Sequence, residues 1–177
     1  MSTPDWRTAG VRVIPADALD TNTPQTPGMH RAAAVTGART GAQGLWAGTV
    51  TILPGARTGA HHHGALESVI YVVRQGDENA ACRWPDVRSR FRGLVSLVGR
   101  ARMRWGERLE FTAEAGPGGF VYVPPFVPHQ EINALDDEPL ECVLARSGQE
   151  AVVVNLDVDA VAEPAYVPWV DPTHPAR

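Results

Sequence analysis

Three consecutive histidines, His61, His62 and His63, are followed by Glu67 in the stretch GAHHHGALES, residues 59–68. Side chains on an extended chain alternate faces. His61, His63 and Glu67 share one parity and His62 takes the other. Imidazoles gathered beside a carboxylate suit a metal ion or a proton relay. A metal site also needs a ligand from a second segment, and FVYVPPFVPHQEIN, residues 120–133, offers one. There an apolar run enters Pro124 and Pro125, turns, and returns with His129. Prolines fix the backbone and end ladder pairing, so the corner holds His129 in a set direction. Glu131 shares the parity of His129 and is a candidate proton acceptor. Tyr71, on the parity of Glu67, is the aromatic residue expected to face the same site. Trp46 and Trp105 read as packing residues and Cys142 as a small buried hydrophobe. Arg102, Arg104 and Arg146 read as a solvated sheet face rather than as anchors for an anionic substrate.

The elements that position these residues are short. Apolar runs at 45–53, 68–73, 101–105, 109–113, 120–123, 141–145 and 151–158 are rich in Val, Ile, Tyr, Phe and Trp, with glycines and prolines between them. This pattern predicts an all-β fold, a sandwich or barrel of antiparallel strands. No sustained helical period is present; Asp17–Leu19 is expected to form one turn. Residues 1–40, rich in Thr, Pro, Ala and Gly, read as an N-terminal arm, 41–160 as the barrel, and 161–177 as a proline-rich tail anchored by Tyr166 and Trp169. Residues 75–98 read as an insertion at a hairpin tip. The run from Ser68 to Val73 is apolar on both parities. One face then fills the barrel and the other requires a cover, which predicts a homodimer.

The chain has 177 residues and a net charge of −4. All 16 basic residues are arginine, which excludes Schiff-base chemistry and a phosphate-loop lysine. Basic residues cluster only between Arg83 and Arg92, so no nucleic-acid partner is expected. No apolar stretch approaches the length of a membrane span, and the first ten residues lack a secretion signal. A cytoplasmic location with Cys82 and Cys142 reduced is expected.

The two histidine segments resemble the two signature motifs of the cupin superfamily. Gly55, His61, His63 and Glu67 match the first, G-x5-H-x-H-x3-E. Gly118, Pro124, His129 and Asn133 match the second, G-x5-P-x-G-x2-H-x3-N, in which Phe126 stands at a glycine position and implies a different turn. The resemblance spans about residues 45–158. It implies a single jelly-roll β-barrel that holds one divalent transition metal (Fe, Mn, Ni, Co, Cu or Zn) through His61, His63, Glu67 and His129. It further implies an enzyme acting on a small oxygenated substrate: first a non-haem dioxygenase with Glu67 as base, second a metal-dependent isomerase or cyclase, and third a binding protein without turnover.

Overall fold

A computed structural model of the chain describes residues 10–73, 99–170 and 172–173. Eleven strands lie among them, in two sheets. The first sheet holds β1 (Met29–Val35), β2 (Leu45–Ile52), β9 (Leu140–Ser147), β4 (Ser68–Val72) and β7 (Phe120–Val123), in that order. The second runs β10 (Val154–Asn155), β3 (His61–His62), β8 (His129–Asn133), β5 (Ala101–Trp105), β6 (Phe111–Ala115) and β11 (Ala165–Tyr166). Every pairing is antiparallel except that of β11 with β6. Among the described residues helix is confined to a 3₁₀ turn at Ala16–Ala18 and to α1 (Gly37–Thr40). No helix among the described residues is long and apolar enough to cross a membrane. The expected insertion at 75–98 lies outside the described residues.

The alternation read from the sequence packs the core. Val50 and Ile52 of β2, Ile70 and Val72 of β4, Met103 of β5, Val123 of β7, and Leu140, Cys142 and Leu144 of β9 are buried in one cluster. Each of these strands turns its other parity outward, as a half-buried antiparallel sheet requires.

The N-terminal boundary requires correction. Residues 1–40 do not all stand outside the barrel, because Met29–Val35 form β1 along β2, from Met29↔Ile52 to Val35↔Ala47. Met29 and Ala33 are buried. The run MHRAAAV has low strand propensity and gave no signal of its own. Close backbone approach replaces side-chain propensity there: a Cβ on Gly48 would lie 2.3 Å from the Ala32 carbonyl oxygen. The tail is also tied differently from expectation. Ala165 N and Val167 N donate to Glu110 O and Thr112 O, while the Tyr166 and Trp169 side chains remain exposed.

Candidate metal centre

β3 and β8 meet at one pair of residues, His61 opposite His129. Their ring centroids are 4.4 Å apart, and His63 lies 4.9 Å from His61 and 5.0 Å from His129. β8 buries alternate residues, so His129, Glu131 and Asn133 share its inner face. The first two join His61 and His63 in a buried group whose donor atoms all lie within 4.8 Å of one another.

The imidazoles are fixed by their backs. Nδ1 of His61 donates to the Gly59 carbonyl at 2.9 Å, Nδ1 of His129 to Val127 at 2.9 Å, and Nδ1 of His63 to Val152 at 2.8 Å. A carbonyl only accepts, so each Nδ1 carries the hydrogen and each Nε2 presents a lone pair. Nε2 of His129 is fully buried and has no hydrogen-bond partner among the described residues. A buried acceptor left without a donor is costly, and a cation at the centre of the group removes that cost. Three neutral imidazoles and a carboxylate form a donor set for a divalent transition ion. By this test the residues fit such an ion.

Burial reinforces the neutral state. The His63 pKa is pulled down to about 3, first by desolvation and then by the Arg146 guanidinium. His129 is lowered mainly by desolvation. Glu131 is fixed through its backbone: its N–H donates to Thr58 Oγ1 at 3.0 Å, and its carbonyl accepts from Thr58 N at 2.9 Å. Asn133 acts as a structural pin. Its Nδ2 donates to Ile52, Leu53 and Glu138 carbonyls at 3.1, 3.3 and 2.7 Å, and its Oδ1 accepts from Leu135 N at 3.0 Å.

No family model matches this chain, and no curated protein matches its sequence. Solved structures do match. The polyketide cyclase RemF from Streptomyces resistomycificus superimposes with a TM-score of 0.57 at 16% identity, over 88% of this chain and 90% of that one. A conserved protein with a double-stranded β-helix domain from Klebsiella pneumoniae gives 0.53 at 14% identity, over 84% and 99%. Oxalate decarboxylase from Bacillus subtilis, a protein with Mn(II) centres, gives 0.54 at 20% identity. The match covers 77% of this chain, which spans only 30% of the decarboxylase. The chain has the cupin fold.

Within this cupin barrel the motif residues divide. His61, His63 and His129 converge as the spacing predicts. Glu67 does not join them: it is exposed, and its Oε1 accepts a 2.6 Å hydrogen bond from the Tyr122 hydroxyl. That bond raises the Tyr122 pKa. The misplacement arises in a turn. Leu66 N bonds back to His63 O at 3.1 Å and Gly64 has φ +57°, so the chain is not extended between β3 and β4. The alternation restarts with the opposite phase, Ser68, Ile70 and Val72 pointing inward. The same reset turns Tyr71 away from the centre, against Phe120 at 4.8 Å. Phe126 also differs from expectation. It keeps the left-handed conformation of the glycine it replaces, φ +61°, and its N–H donates to Gly64 O at 2.7 Å. Its ring is 62% exposed, 6.1 Å from that of His62.

Arg146 is the site residue that sequence reasoning missed. It is half-buried and lines a cavity of about 680 Å³ together with His61, His63, Glu131, Trp46 and Arg31. Its Nη2 donates to His63 Nε2 at 3.1 Å and its Nε to Ser68 Oγ at 3.2 Å. The signal was available, since Arg146 continues the inward parity of Cys142 and Leu144 along β9. Arg102 and Arg104 are structural: Arg102 pairs with Glu114 at 2.7 Å, and Arg104 donates to Leu109 O at 3.0 Å. Cys142 is buried, and its thiol pKa is pushed up to about 12, by desolvation and then by the charges of Glu131 and Glu141.

Proposed function

We propose that this cupin is a metal-dependent enzyme acting on a small oxygenated metabolite, with His61, His63, His129 and Glu131 as the ligands. One observation carries the reading: His61, His63 and Glu131 line a cavity of about 680 Å³ and converge with His129, whose buried Nε2 has no hydrogen-bond partner among the described residues. That volume suits a small organic ligand. A divalent transition ion held there supplies Lewis acidity toward the oxygens of a chelating substrate and, if redox-active, a route for electrons to O₂. The chain supplies orientation. The three Nδ1–H···O=C bonds set the ring directions, and Glu131 offsets positive charge in a desolvated place. Arg146 and Ser68 present donors on one side of the cavity.

Of the reactions such a centre supports, the first is dioxygenation, because the donors are the histidine and carboxylate types that suit a non-haem iron. Isomerisation or cyclisation is the second, favoured by the likeness to the polyketide cyclase over nearly the full length of both chains. Metal analysis of protein purified without an affinity metal column tests the centre. Oxygen-electrode traces with catechols, flavonols and 1,3-diketones, after Fe²⁺ is restored, then separate the reactions. Oxygen consumption coupled to substrate loss supports the dioxygenase, and anaerobic conversion supports the isomerase or cyclase. Binding without turnover across the panel leaves a ligand-binding cupin.

A homodimer belongs to the same proposal. Val69, Tyr71, Phe120, Tyr122 and Val143 lie together on the outer face of the first sheet, and all but the half-buried Tyr71 are exposed. A second copy covering this face shows as twice the chain mass in sedimentation equilibrium.

A further inference from the structure

The contact between Arg146 and His63 makes two demands on one nitrogen. His63 Nδ1 is committed to the Val152 carbonyl, so Nε2 is the only lone pair of that ring. Arg146 Nη2 occupies it at 3.1 Å. A cation held by the histidine cluster needs the same lone pair, and the two cannot share it. The guanidinium is itself poorly compensated. Among the described residues it makes no ion pair with a carboxylate; its hydrogen-bond partners are the neutral Ser68 hydroxyl and the neutral His63 ring, and the charge that faces it is the Glu131 carboxylate of the same cluster. Arg31, the second guanidinium of the cavity, is held by Thr26 Oγ1 at 2.8 Å. A half-buried guanidinium with no carboxylate hydrogen-bonded to it is poorly satisfied, and a planar two-oxygen anion satisfies a guanidinium fork best.

We propose that Arg146 is the anchor for a carboxylate group of the substrate, and that occupation of the histidine cluster by its cation frees the guanidinium for this role. The proposal rests on the metal-dependent reading above and adds the substrate class: a small carboxylic acid that also carries an oxygen able to chelate. While Arg146 Nη2 bonds to His63 Nε2, that donor is closed to an acid. With a cation held, Glu131 would be committed to it, and Arg146 would keep the Ser68 hydroxyl on one edge and offer its remaining donors to the cavity. Metal and acid then bind in order, metal first.

The test uses the full chain, with and without Co²⁺, and the probe pair pyruvate and pyruvamide, which differ by one negative charge. Isothermal titration is expected to show Co²⁺-loaded protein binding pyruvate about 10- to 100-fold more tightly than pyruvamide, the range for a charge-assisted hydrogen bond. Metal-free protein is expected to show no such preference. Arg146→Gln is expected to abolish the preference while binding Co²⁺ at least as tightly as the parent, since a competitor for His63 Nε2 has been removed. Arg146→Lys, which keeps the charge without the fork, falls between. Equal binding of acid and amide by loaded parent protein overturns the proposal, and so does a preference that survives Arg146→Gln. A preference already present without Co²⁺ overturns the release of Arg146 by the cation. Failure of parent protein to bind Co²⁺ at all rejects instead the metal-dependent reading on which the proposal stands.

Discussion

Glu131 and Glu67 make opposite predictions for one assay. Glu131 is buried within 4.8 Å of the histidine donor atoms, whereas Glu67 is exposed and hydrogen-bonded to Tyr122. Consider Co²⁺ at 100 times its dissociation constant for the parent protein. Binding to the folded state alone then adds about 2.7 kcal/mol of stability. At about 2–4 °C per kcal/mol for a chain of this size, Tm rises by about 5–10 °C. Losing even an outer partner of a metal ligand costs about 10- to 100-fold in affinity. Glu131→Gln, which removes the proposed carboxylate ligand, is therefore expected to weaken binding by about 100-fold or more. The same Co²⁺ concentration then roughly equals the dissociation constant, the gain falls to about 0.4 kcal/mol, and the Tm shift shrinks to about 1–2 °C. Glu67→Gln is expected to keep the full shift. Scanning calorimetry on the three proteins, with and without Co²⁺, reads the difference. A lost shift in Glu67→Gln with a preserved one in Glu131→Gln would refute the placement of the carboxylate and the phase argument behind it.

Asn133→Ala removes a buried amide that holds three carbonyls and one N–H, and is expected to lower stability by about 3–4 kcal/mol in urea unfolding; a loss below about 1 kcal/mol would contradict its pinning role. Gly48→Ala forces a Cβ to 2.3 Å from the Ala32 carbonyl oxygen and is expected to separate β1 from β2, seen as lost amide-exchange protection in Met29–Val35; unchanged protection would rule out the close approach. The folded Cys142 thiol has a pKa near 12, above its ordinary value of 9.0, so the folded state holds its proton longer than the unfolded chain does. The resulting stability is fully present below pH 9 and declines as pH rises toward 12. The decline is expected to flatten in Cys142→Ala, and iodoacetamide is expected to label Cys142, followed by peptide mass spectrometry, far more slowly at pH 8 in native than in unfolded protein; equal labelling rates at Cys142 would disprove the burial.

The barrel and the convergence of His61, His63 and His129 were legible because they depend on local alternation. The runs at 45–53, 68–73, 101–105 and 120–123 became β2, β4, β5 and β7 with their ends shifted by no more than one residue. Within β8, an unbroken strand, parity placed Glu131 beside His129 correctly. Parity failed across His63–Glu67, where a turn with φ +57° at Gly64 resets the count, and the reset misassigned Glu67 and Tyr71 together. β1 was invisible for another reason: its alanines carry no pattern, and its place is set by what Gly48 permits from the neighbouring strand.

The three imidazoles differ in where their orientation comes from. His61 and His129 each lean on a carbonyl two residues back in their own strand approach, so their directions are local properties. His63 leans on Val152, 89 residues away, in the segment that leads into β10. Ring orientation at this position is thus non-local, and the histidine trio is aligned only once the segment after β9 has packed against His63. A polypeptide halted before Val152 emerges would carry all three histidines without the carbonyl that aligns His63, so on the metal-dependent reading cation uptake would come late in the life of the nascent protein.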